Sequence, residues 1–358
     1  MEEVQYLLKV NVLIIGAGPG GLAAAAALQK LSMSYFICEK EKFIGGTYAK
    51  THPSLSLVSP EKLSALPFEP IIRKKSSHPL SFGEYHQYLK SYANKHEIQV
   101  ELSDKVVSVQ SEESVFVTQL ESGKIIKSKF VILATGLSSF PKSLLFNFNN
   151  NSDVIFETAV KWKGTEYYHG KTVLVLGSGT SATEIASHLA STSKVLLVTK
   201  SNFKTTSFSI LGIDTHYFLR PFELLPRVFL KSFCNPKTKD PIIDFGIRNL
   251  IRSGRIQHFT DFHTIRNGCA EFLNGKKIKI DILINCTGYQ FDTQIVSQQV
   301  IRNLDGTIAT QNNKSLSHPR FFTIGYPCAN KVDSKFLRGI SRDAILIAKQ
   351  IKKIINTK

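Results

Sequence analysis

Short runs of consecutive apolar residues, each followed by a glycine-rich turn, form the dominant pattern along the chain. The first run, 12–15, leads into an alanine-rich helical stretch and then a second apolar run at 35–38. The same order returns with apolar runs at 173–176 and 195–198 on either side of a second helical stretch. Short continuous apolar runs are typical of strands buried on both faces of a parallel sheet. The pattern therefore predicts two β-α-β units in an α/β fold.

The remaining pattern predicts how these two units are connected. A helix is predicted over 81–96, alternating strands over 99–128, and a last helix over about 340–354. Apolar strands at 130–136 and 277–288 each break into a Thr-Gly turn, and these turns bracket the second β-α-β unit. We therefore predict two Rossmann-like dinucleotide-binding domains, the second inserted into the first. Residues 1–165 and 281–358 would form the outer domain and residues 166–280 the inserted one.

Each β-α-β unit carries the glycines of a dinucleotide-binding loop. They are Gly16, Gly18 and Gly21 in the first unit, and Gly177 and Gly179, with Ser181 beside them, in the second. The first glycine allows a tight turn, the second lets the backbone approach a pyrophosphate, and the following helix N-terminus offers free N–H groups. One such loop alone is a weak signal, but both lie in the strand–turn–helix–strand context that supports the motif. The sequence predicts two dinucleotide sites.

The residue that closes each unit predicts which dinucleotide it takes. Glu39 and Lys200 lie the same number of residues after the first glycine of their units. A carboxylate at this position accepts hydrogen bonds from a free ribose 2′-hydroxyl, whereas a cation suits a 2′-phosphate. The first site is therefore predicted to bind FAD and the second NADPH. The alternative for Lys200 is an ordinary solvated lysine at a strand end.

Composition narrows the classes of function. The 358 residues carry a net charge of +17, and no helix-turn-helix, zinc-finger spacing or RNA-binding aromatic motif accompanies it, so nucleic acid is not predicted as a partner. Two explanations are kept for the positive charge: it helps to attract an anionic coenzyme, or it only reflects a lysine-rich proteome. No cluster of metal-ligating residues is found. No apolar stretch approaches the ~20 residues of a membrane span, and the acidic N-terminus predicts no secretory signal.

The five cysteines form no C-x-x-C motif. Cys38 and Cys286 lie in apolar runs and are predicted to be buried small hydrophobes. This usage favours a reducing compartment, hence the cytoplasm, and argues against a flavin disulfide reductase, which needs paired thiols.

The segment 217–233 is amphipathic, basic and aromatic, and two interpretations are kept for it. Such a segment can lie in a membrane interface, as a peripheral contact. Pro221 and Pro226 interrupt any long helix, however, and favour a lid or the wall of a substrate channel.

The order of motifs resembles a known family. Gly-Ala-Gly-Pro-Gly-Gly from Gly16, Gly-Gly-Thr-Tyr at 45–48, Ala-Thr-Gly at 134–136, Gly-Ser-Gly-Thr-Ser-Ala from Gly177 and Cys-Thr-Gly-Tyr at 286–289 follow one another as in the class B flavin-containing monooxygenases. The chain looks closest to the short bacterial and plant YUCCA-like members, and the resemblance spans nearly its whole length. It implies FAD and NADPH as cofactors. The cofactor-binding residues that it implies or that the motifs supply are Gly16, Gly18, Gly21, Glu39, Gly46, Thr47, Gly136, Gly177, Gly179, Ser181, Lys200, Gly288 and Gly325.

The resemblance also implies a reaction. NADPH would pass hydride to the flavin, and O₂ captured as a C4a-hydroperoxide would deliver one oxygen to a small amine or sulfur substrate. The family signature before the second loop is altered, with Ala159 and Lys163 where Gly and His are usual. Ser59 aligns with an Asn that contacts the hydroperoxide, so Ser59 is the candidate catalytic residue near flavin C4a.

Two other functions are kept beside the monooxygenase. One is an NADPH oxidase or flavin-linked reductase that releases H₂O₂ without productive oxygenation, which the altered signature favours. The other is a non-catalytic flavoprotein that acts as a redox sensor, against which the two intact loops argue. The sequence predicts neither the substrate's identity nor the oligomeric state.

Overall fold

The computed structural model of the protein describes residues 7–73, 79–136, 140–144, 153–202, 204–207, 209–211, 213–225, 234, 242–291, 293–297, 300–303 and 306–357. Structural statements below concern these residues.

The described residues form eight α-helices. In chain order they are α1 (Pro19–Gln29), α2 (Thr47–Lys50), α3 (Glu61–Ser64), α4 (Phe82–Lys95), α5 (Thr180–Leu189), α6 (Thr215–Glu223), α7 (Ile247–Arg252) and α8 (Leu337–Asn356).

They also form twenty-two strands. These are β1 (Leu7–Ile15), β2 (Tyr35–Cys38), β3 (Val106–Glu112), β4 (Val115–Leu120), β5 (Ile125–Leu133), β6 (Phe140–Pro141), β7 (Ile155–Thr158), β8 (Thr172–Leu176), β9 (Lys194–Val198), β10 (Thr205–Thr206), β11 (Ser209–Ile210), β12 (Ile213–Asp214), β13 (Ile242–Ile243), β14 (Ile256–Phe259), β15 (Phe262–Arg266), β16 (Cys269–Phe272), β17 (Lys277–Lys279), β18 (Ile282–Asn285), β19 (Tyr289–Gln290), β20 (Thr310–Gln311), β21 (Lys314–Ser315) and β22 (Phe321–Thr323).

The first sheet is centred on the β-α-β unit at the start of the chain. Its order is β2-β1-β5-β22-β21-β20, with β4 and β3 attached to β5. β1 pairs in parallel with both β2 and β5, and β22 returns from the end of the chain to pair in parallel with β5. The alanine-rich α1 is buried along 21–28 between this sheet and α8, because alanine side chains allow close helix–sheet packing.

The second sheet is built on the second β-α-β unit. Its order is β14-β9-β8-β18-β7, and all its pairings are parallel. The apolar side chains of β8 and β9 are buried on both faces, with α5 and α7 covering one of them. The predicted α/β class is confirmed.

The chain passes between the two sheets at two points that lie side by side. β6 follows the glycine turn after β5, β19 follows the glycine turn after β18, and the two short strands pair antiparallel. The Lys142 N–H donates to the Gly288 carbonyl at 2.9 Å, and the Asn285 amide donates to the Lys142 carbonyl at 3.2 Å. The two connections that follow the Thr-Gly turns are thus hydrogen-bonded to each other. β7 and β18, which the predicted limits 166–280 leave out, pair with the second sheet.

Two cysteines correct an expectation drawn from the sequence. Cys234 and Cys328 form a disulfide with a Cα–Cα distance of 5.8 Å, although 94 positions separate them. Spacing along the chain could not reveal this pair, so the inference from unpaired cysteines to a reducing compartment loses its basis. Cys38 and Cys286 are free and buried as predicted, and burial raises the pKa of each thiol to about 12.

The structure bears in two ways on the predictions about membranes. No helix in the described part of the chain is long and apolar enough to cross a membrane. Within the segment 217–233, residues 217–223 complete α6, which contains Pro221, whereas 226–233 lie outside the described residues.

Candidate functional site

The first glycine loop is closed on both sides by backbone. The Gly16 N–H donates to the Cys38 carbonyl at 2.8 Å, and a Cβ added to Gly16 would lie 2.7 Å from the Ala134 carbonyl oxygen. A Cβ added to Gly21 would lie 1.9 Å from the Gly16 carbonyl oxygen. Real Cβ atoms do not come this close to backbone, and Gly16 also has a φ of +104°. Both positions therefore require glycine.

The second loop repeats this geometry. The Gly177 N–H donates to the Val198 carbonyl at 2.9 Å, and a Cβ on Gly177 would lie 2.4 Å from the Cys286 carbonyl oxygen. Ala182 stands where the first loop has Gly21, so here the helix lies far enough away to admit a methyl group. Around Gly179 no described atom lies within 4 Å of an added Cβ, which leaves room for a bound group.

Both loops are associated with one cavity of about 390 Å³. The predicted site residues that line it are Gly16, Gly18, Glu39, Gly46, Thr47, Ser59, Gly136, Ser181 and Gly325. Among the described residues, Gly21, Gly177, Gly179, Lys200 and Gly288 lie outside this lining. Because Thr180 and Ser181 begin α5 in the second β-α-β unit, the cavity is shared by elements from both sheets.

Glu39 supplies the buried carboxylate at one end of this cavity. Its side chain lies at the end of β2 and only 7% of the residue is exposed. One carboxylate oxygen accepts from the Ala17 N–H at 2.8 Å and the other from the Glu41 N–H at 3.0 Å. Each oxygen keeps a second lone pair, and the residue faces the cavity, so ribose hydroxyls can donate to it.

The loop before α2 forms a second wall against the first glycine loop. The Gly45 N–H donates to the Ala17 carbonyl at 2.9 Å, and a Cβ added to Gly46 would lie 3.2 Å from the Gly18 Cα. Tyr48 holds the far side of this loop through edge contacts with Phe82 and Tyr85.

Two facing glycine backbones therefore form a cradle that side chains would fill. A cradle of this kind beside a helix N-terminus suits a pyrophosphate. Together with Glu39 at the ribose position, this part of the cavity fits FAD.

Lys200 lies just beyond β9 and its side chain is exposed. The preceding residue, Thr199, is fixed by hydrogen bonds between its hydroxyl and the Ser201 carbonyl at 2.9 Å and the His258 Nε2 at 2.7 Å. The backbone at the end of the strand is thus held while the lysine ammonium extends into solvent. Its position is suitable for a 2′-phosphate, and its role stays a prediction.

Glu184 is a buried acid that the sequence reasoning missed. It lies on α5, is 3% exposed, lines the cavity, and accepts from the Ser56 N–H at 2.6 Å. This bond joins a helix of the second sheet to a segment that precedes α3 in the first part of the chain. Its position three residues after Ser181, on the same face of the helix, was the one signal that could have found it.

The altered signature residue Lys163 contacts two other residues of the same stretch. The Lys163 ammonium lies 2.8 Å from Glu157 and 3.9 Å from the centre of the Tyr167 ring. The hydrogen bond with Glu157 raises the pKa of Lys163. Trp162 packs between His52 and His188, and Ala159 is buried in the same cluster. These contacts fasten the region between the two sheets.

Ser59 lies in the cavity wall, and its hydroxyl accepts a hydrogen bond; its place near flavin C4a stays a prediction. The residue is 7% exposed and its hydroxyl oxygen accepts from Arg338 Nη1 at 3.1 Å. Arg338 belongs to the first turn of α8 and forms a two-point ion pair with Glu223 at the end of α6. The described part of the 217–233 segment is therefore attached to the wall that contains Ser59.

Known proteins share both the sequence pattern and the fold. A family profile described as pyridine nucleotide-disulphide oxidoreductase matches residues 13–221, more than half of the chain. An uncharacterized CzcO-like oxidoreductase of Geobacillus kaustophilus (strain HTA426) is 26% identical over 340 residues, covering 94% of this chain and 96% of its own. YUCCA8 of Arabidopsis thaliana, a probable indole-3-pyruvate monooxygenase, is 25% identical over 386 residues, covering 94% of this chain and 88% of its own.

Solved structures extend the likeness at lower identity. A flavin-containing monooxygenase from Stenotrophomonas maltophilia matches with a TM-score of 0.80 at 20% identity, covering 97% of this chain and 99% of that one. The bacillithiol disulfide reductase of Staphylococcus aureus matches with a TM-score of 0.75 at 18% identity, covering 98% and 99%. At these identities the likeness concerns the fold, which oxygenases and reductases share.

Proposed function

The chain belongs to the pyridine nucleotide-disulphide oxidoreductase family, and from that premise we propose that it is an FAD-dependent, NADPH-driven monooxygenase. The observation that carries the proposal is the shared cavity, onto which elements of both β-α-β units open. One unit closes on the buried carboxylate of Glu39 and the other on the exposed cation of Lys200. Two dinucleotides bound from opposite sides would meet there, as hydride transfer between them requires.

The residues of this chain have distinct roles in the proposal. The backbones of Gly16, Gly18 and Gly46 hold the FAD pyrophosphate, and Glu39 accepts from the adenosine ribose. Gly325, Thr47 and Gly136 complete the wall around the same cofactor. Bound FAD supplies the hydride acceptor and the O₂ chemistry, which no amino-acid side chain provides.

For the coenzyme, Gly177, Gly179, Gly288 and Ser181 contribute the phosphate-binding surface at the second loop, and Lys200 pairs with the 2′-phosphate. We further propose that the inserted domain runs from about 153 to 286 rather than 166–280, because β7 and β18 pair with β8 in the second sheet.

We propose a small amine or sulfur compound as substrate. Beside Ser59, the cavity lining includes the apolar residues Leu57, Val58, Phe82 and Phe336. An apolar wall excludes water around the reacting atoms and accommodates a soft, uncharged nucleophile.

A second candidate is an NADPH oxidase or flavin-linked reductase without productive oxygenation. The observation that favours it is the residue at position 59, where a serine hydroxyl with one hydrogen to donate stands in place of the family's usual Asn amide with two. Fewer donors directed at the reacting oxygen would shorten its retention in the site.

The choice of flavin is the first test of the proposal. Purified protein is expected to be yellow and to release FAD rather than FMN, because FMN lacks the adenosine ribose and the pyrophosphate that Glu39 and the glycine cradle bind. Glu39→Ala should weaken FAD binding about tenfold or more, since a charged hydrogen bond contributes ~1.5–3 kcal/mol. Chromatography identifies the released flavin, and titration of the apoprotein with FAD measures the change in affinity.

Glu112→Ala is the matched control, because it removes an exposed carboxylate, paired with Lys127, that does not line the cavity. It should retain FAD. Recovery of stoichiometric FMN, or no flavin after reconstitution, would contradict the FAD site.

The fate of oxygen separates the two candidate functions. With NADPH and no substrate, we expect O₂ consumption with a substantial release of H₂O₂, because Ser59 and the altered signature offer fewer donors to the oxygen species. The yield of H₂O₂ per NADPH should fall several-fold when a suitable amine or thioether is added, as oxygen passes to that compound. If no amine or sulfur compound lowers the H₂O₂ yield, the monooxygenase proposal fails and the oxidase takes its place.

A further inference from the structure

Charged contacts attach helix α6 to residues around the start of α8, near the end of the chain. Glu223 and Arg338 are 9% and 7% exposed and form a two-point ion pair, with Arg338 Nε 2.7 Å from the carboxylate. One turn earlier on the same helix face, Arg220 pairs with Asp333, which is fully buried. The Lys331 ammonium donates to the Leu224 carbonyl at 2.7 Å.

The surface that receives α6 has internal contacts of its own. Asp333 also accepts from Arg342 of α8 at 2.7 and 2.9 Å. A Cβ added to Gly339 would lie 2.3 Å from the Asp333 carbonyl oxygen, so the first turn of α8 lies directly against the turn at 332–335. The attachment site is therefore braced by contacts that do not involve α6.

Arg338 lies immediately behind the cavity wall. Its Nη1 donates to Ser59, and the residues just before Arg338, Phe336 and Leu337, line the same cavity as Ser59. Its guanidinium also stacks 4.0 Å from the centre of the Phe336 ring. A cation at this place adds to the positive end of the α8 dipole.

Whether that cation acts on the cavity depends on α6. A buried charge has a strong field because little water screens it, and a carboxylate in direct contact cancels most of that field. Glu223 is the carboxylate in contact with Arg338, and it belongs to the chain between β12 and β13, far from α8 in sequence. If α6 leaves, the compensating charge leaves with it.

We propose that α6 is an electrostatic latch: docking of Glu223 on Arg338 sets the charge behind Ser59 and thereby tunes the reduction potential of the flavin. Glu223 and Arg220 are positioning residues in this arrangement. The inference rests on the proposed FAD site. Because two-electron-reduced flavin carries added negative charge, an uncompensated Arg338 favours the reduced form.

The test measures the midpoint potential of bound FAD in two variants with opposite charge changes. Glu223→Gln should favour reduced flavin about tenfold, which is about 30 mV upward for a two-electron couple. Arg338→Gln should shift the potential downward. A purely structural disturbance would shift the midpoint potential in the same direction in both variants. The double variant, which leaves a neutral pair, should have a midpoint potential close to that of the parent.

Arg220→Gln distinguishes a latch from a local charge pair. Removing this cation would lower the potential by direct Coulomb action, whereas release of α6 would withdraw Glu223 and raise it. We expect a rise. Lys95→Gln, which removes a surface cation paired with Glu69, is the control and should change nothing.

Hydrogen exchange of the flavin-free protein gives an independent readout. Amides in 215–223 should exchange faster in both Arg220→Gln and Glu223→Gln than in the parent. Shifts of the same sign in Glu223→Gln and Arg338→Gln, a fall in Arg220→Gln, or unchanged exchange would each overturn the latch. Absence of bound FAD would refute the proposed function instead, and the exchange data would then decide whether α6 docks through these pairs.

Discussion

Gly21→Ala is expected to yield a protein that no longer holds FAD and unfolds at a lower temperature. The added methyl carbon would lie 1.9 Å from the Gly16 carbonyl oxygen and 3.4 Å from Ile37. The atom in the way is backbone within the same loop, so no side-chain rotation can relieve the overlap. Overpacking of this kind costs about 3 kcal/mol or more, and here it must displace either α1 or the glycine loop itself. Flavin content and thermal unfolding measure the two effects.

Gly179→Ala is the matched control on the second loop. Its added Cβ meets no described atom within 4 Å, and its backbone is in an extended conformation that alanine adopts without strain. The variant should remain folded and retain FAD, while the KM for NADPH rises because the methyl group takes space from the coenzyme phosphates. If Gly21→Ala bound FAD as the parent does, the close packing of α1 on the loop would not be required for the site.

Lys200→Glu is expected to lower kcat/KM for NADPH by about 10- to 100-fold and to change NADH little. A charge-assisted contact with the 2′-phosphate contributes about 1.5–3 kcal/mol, and glutamate replaces that attraction with repulsion. The parent should prefer NADPH over NADH by a similar factor. Anaerobic reduction of bound flavin by each coenzyme measures the preference without the later reaction with oxygen.

Lys194→Glu provides the control, because Lys194 lies at the opposite end of the same strand and is also exposed. It changes the net charge equally, yet it lies away from the carboxyl edge of the sheet where the glycine loop is found. A comparable loss in both variants would indicate a general electrostatic effect on an anionic coenzyme. Equal KM values for NADPH and NADH in the parent would refute the assignment of Lys200.

Buried carboxylates of the inserted part of the chain make hydrogen bonds at the wall of the FAD cavity. Two carboxylates from the chain between β7 and β18 reach the FAD side of the cavity, Glu184 at Ser56 and Glu223 at Arg338. Removing one partner of a buried ion pair typically costs several kcal/mol, because the other charge stays buried.

The sequence determined those features whose signals lie within short stretches of chain. Apolar runs identified β1, β8 and β9, and α4 begins with the capping box of Ser81 and Glu84 within one residue of the predicted helix start. The glycine loops and the Thr-Gly turns were readable because a tight turn with a positive φ restricts the residue type. The same local logic gave Glu39 and Lys200 their predicted partners, and the family resemblance is confirmed.

Tertiary structure alone decided which distant residues meet. Ser59 and Arg338 are 279 positions apart, Glu223 and Arg338 are 115 apart, and the bonded cysteines are 94 apart. Local periodicity carries no information about such pairs, because each residue taken alone has the pattern of a surface charge, a loop hydroxyl or a core thiol. Their partners are fixed only when β22 returns to β5, which brings α8 to the cavity, and when the sheets lie close enough for α6 to reach it. Burial then makes the ion pair obligatory, since an unpaired charge at that depth is too costly to keep.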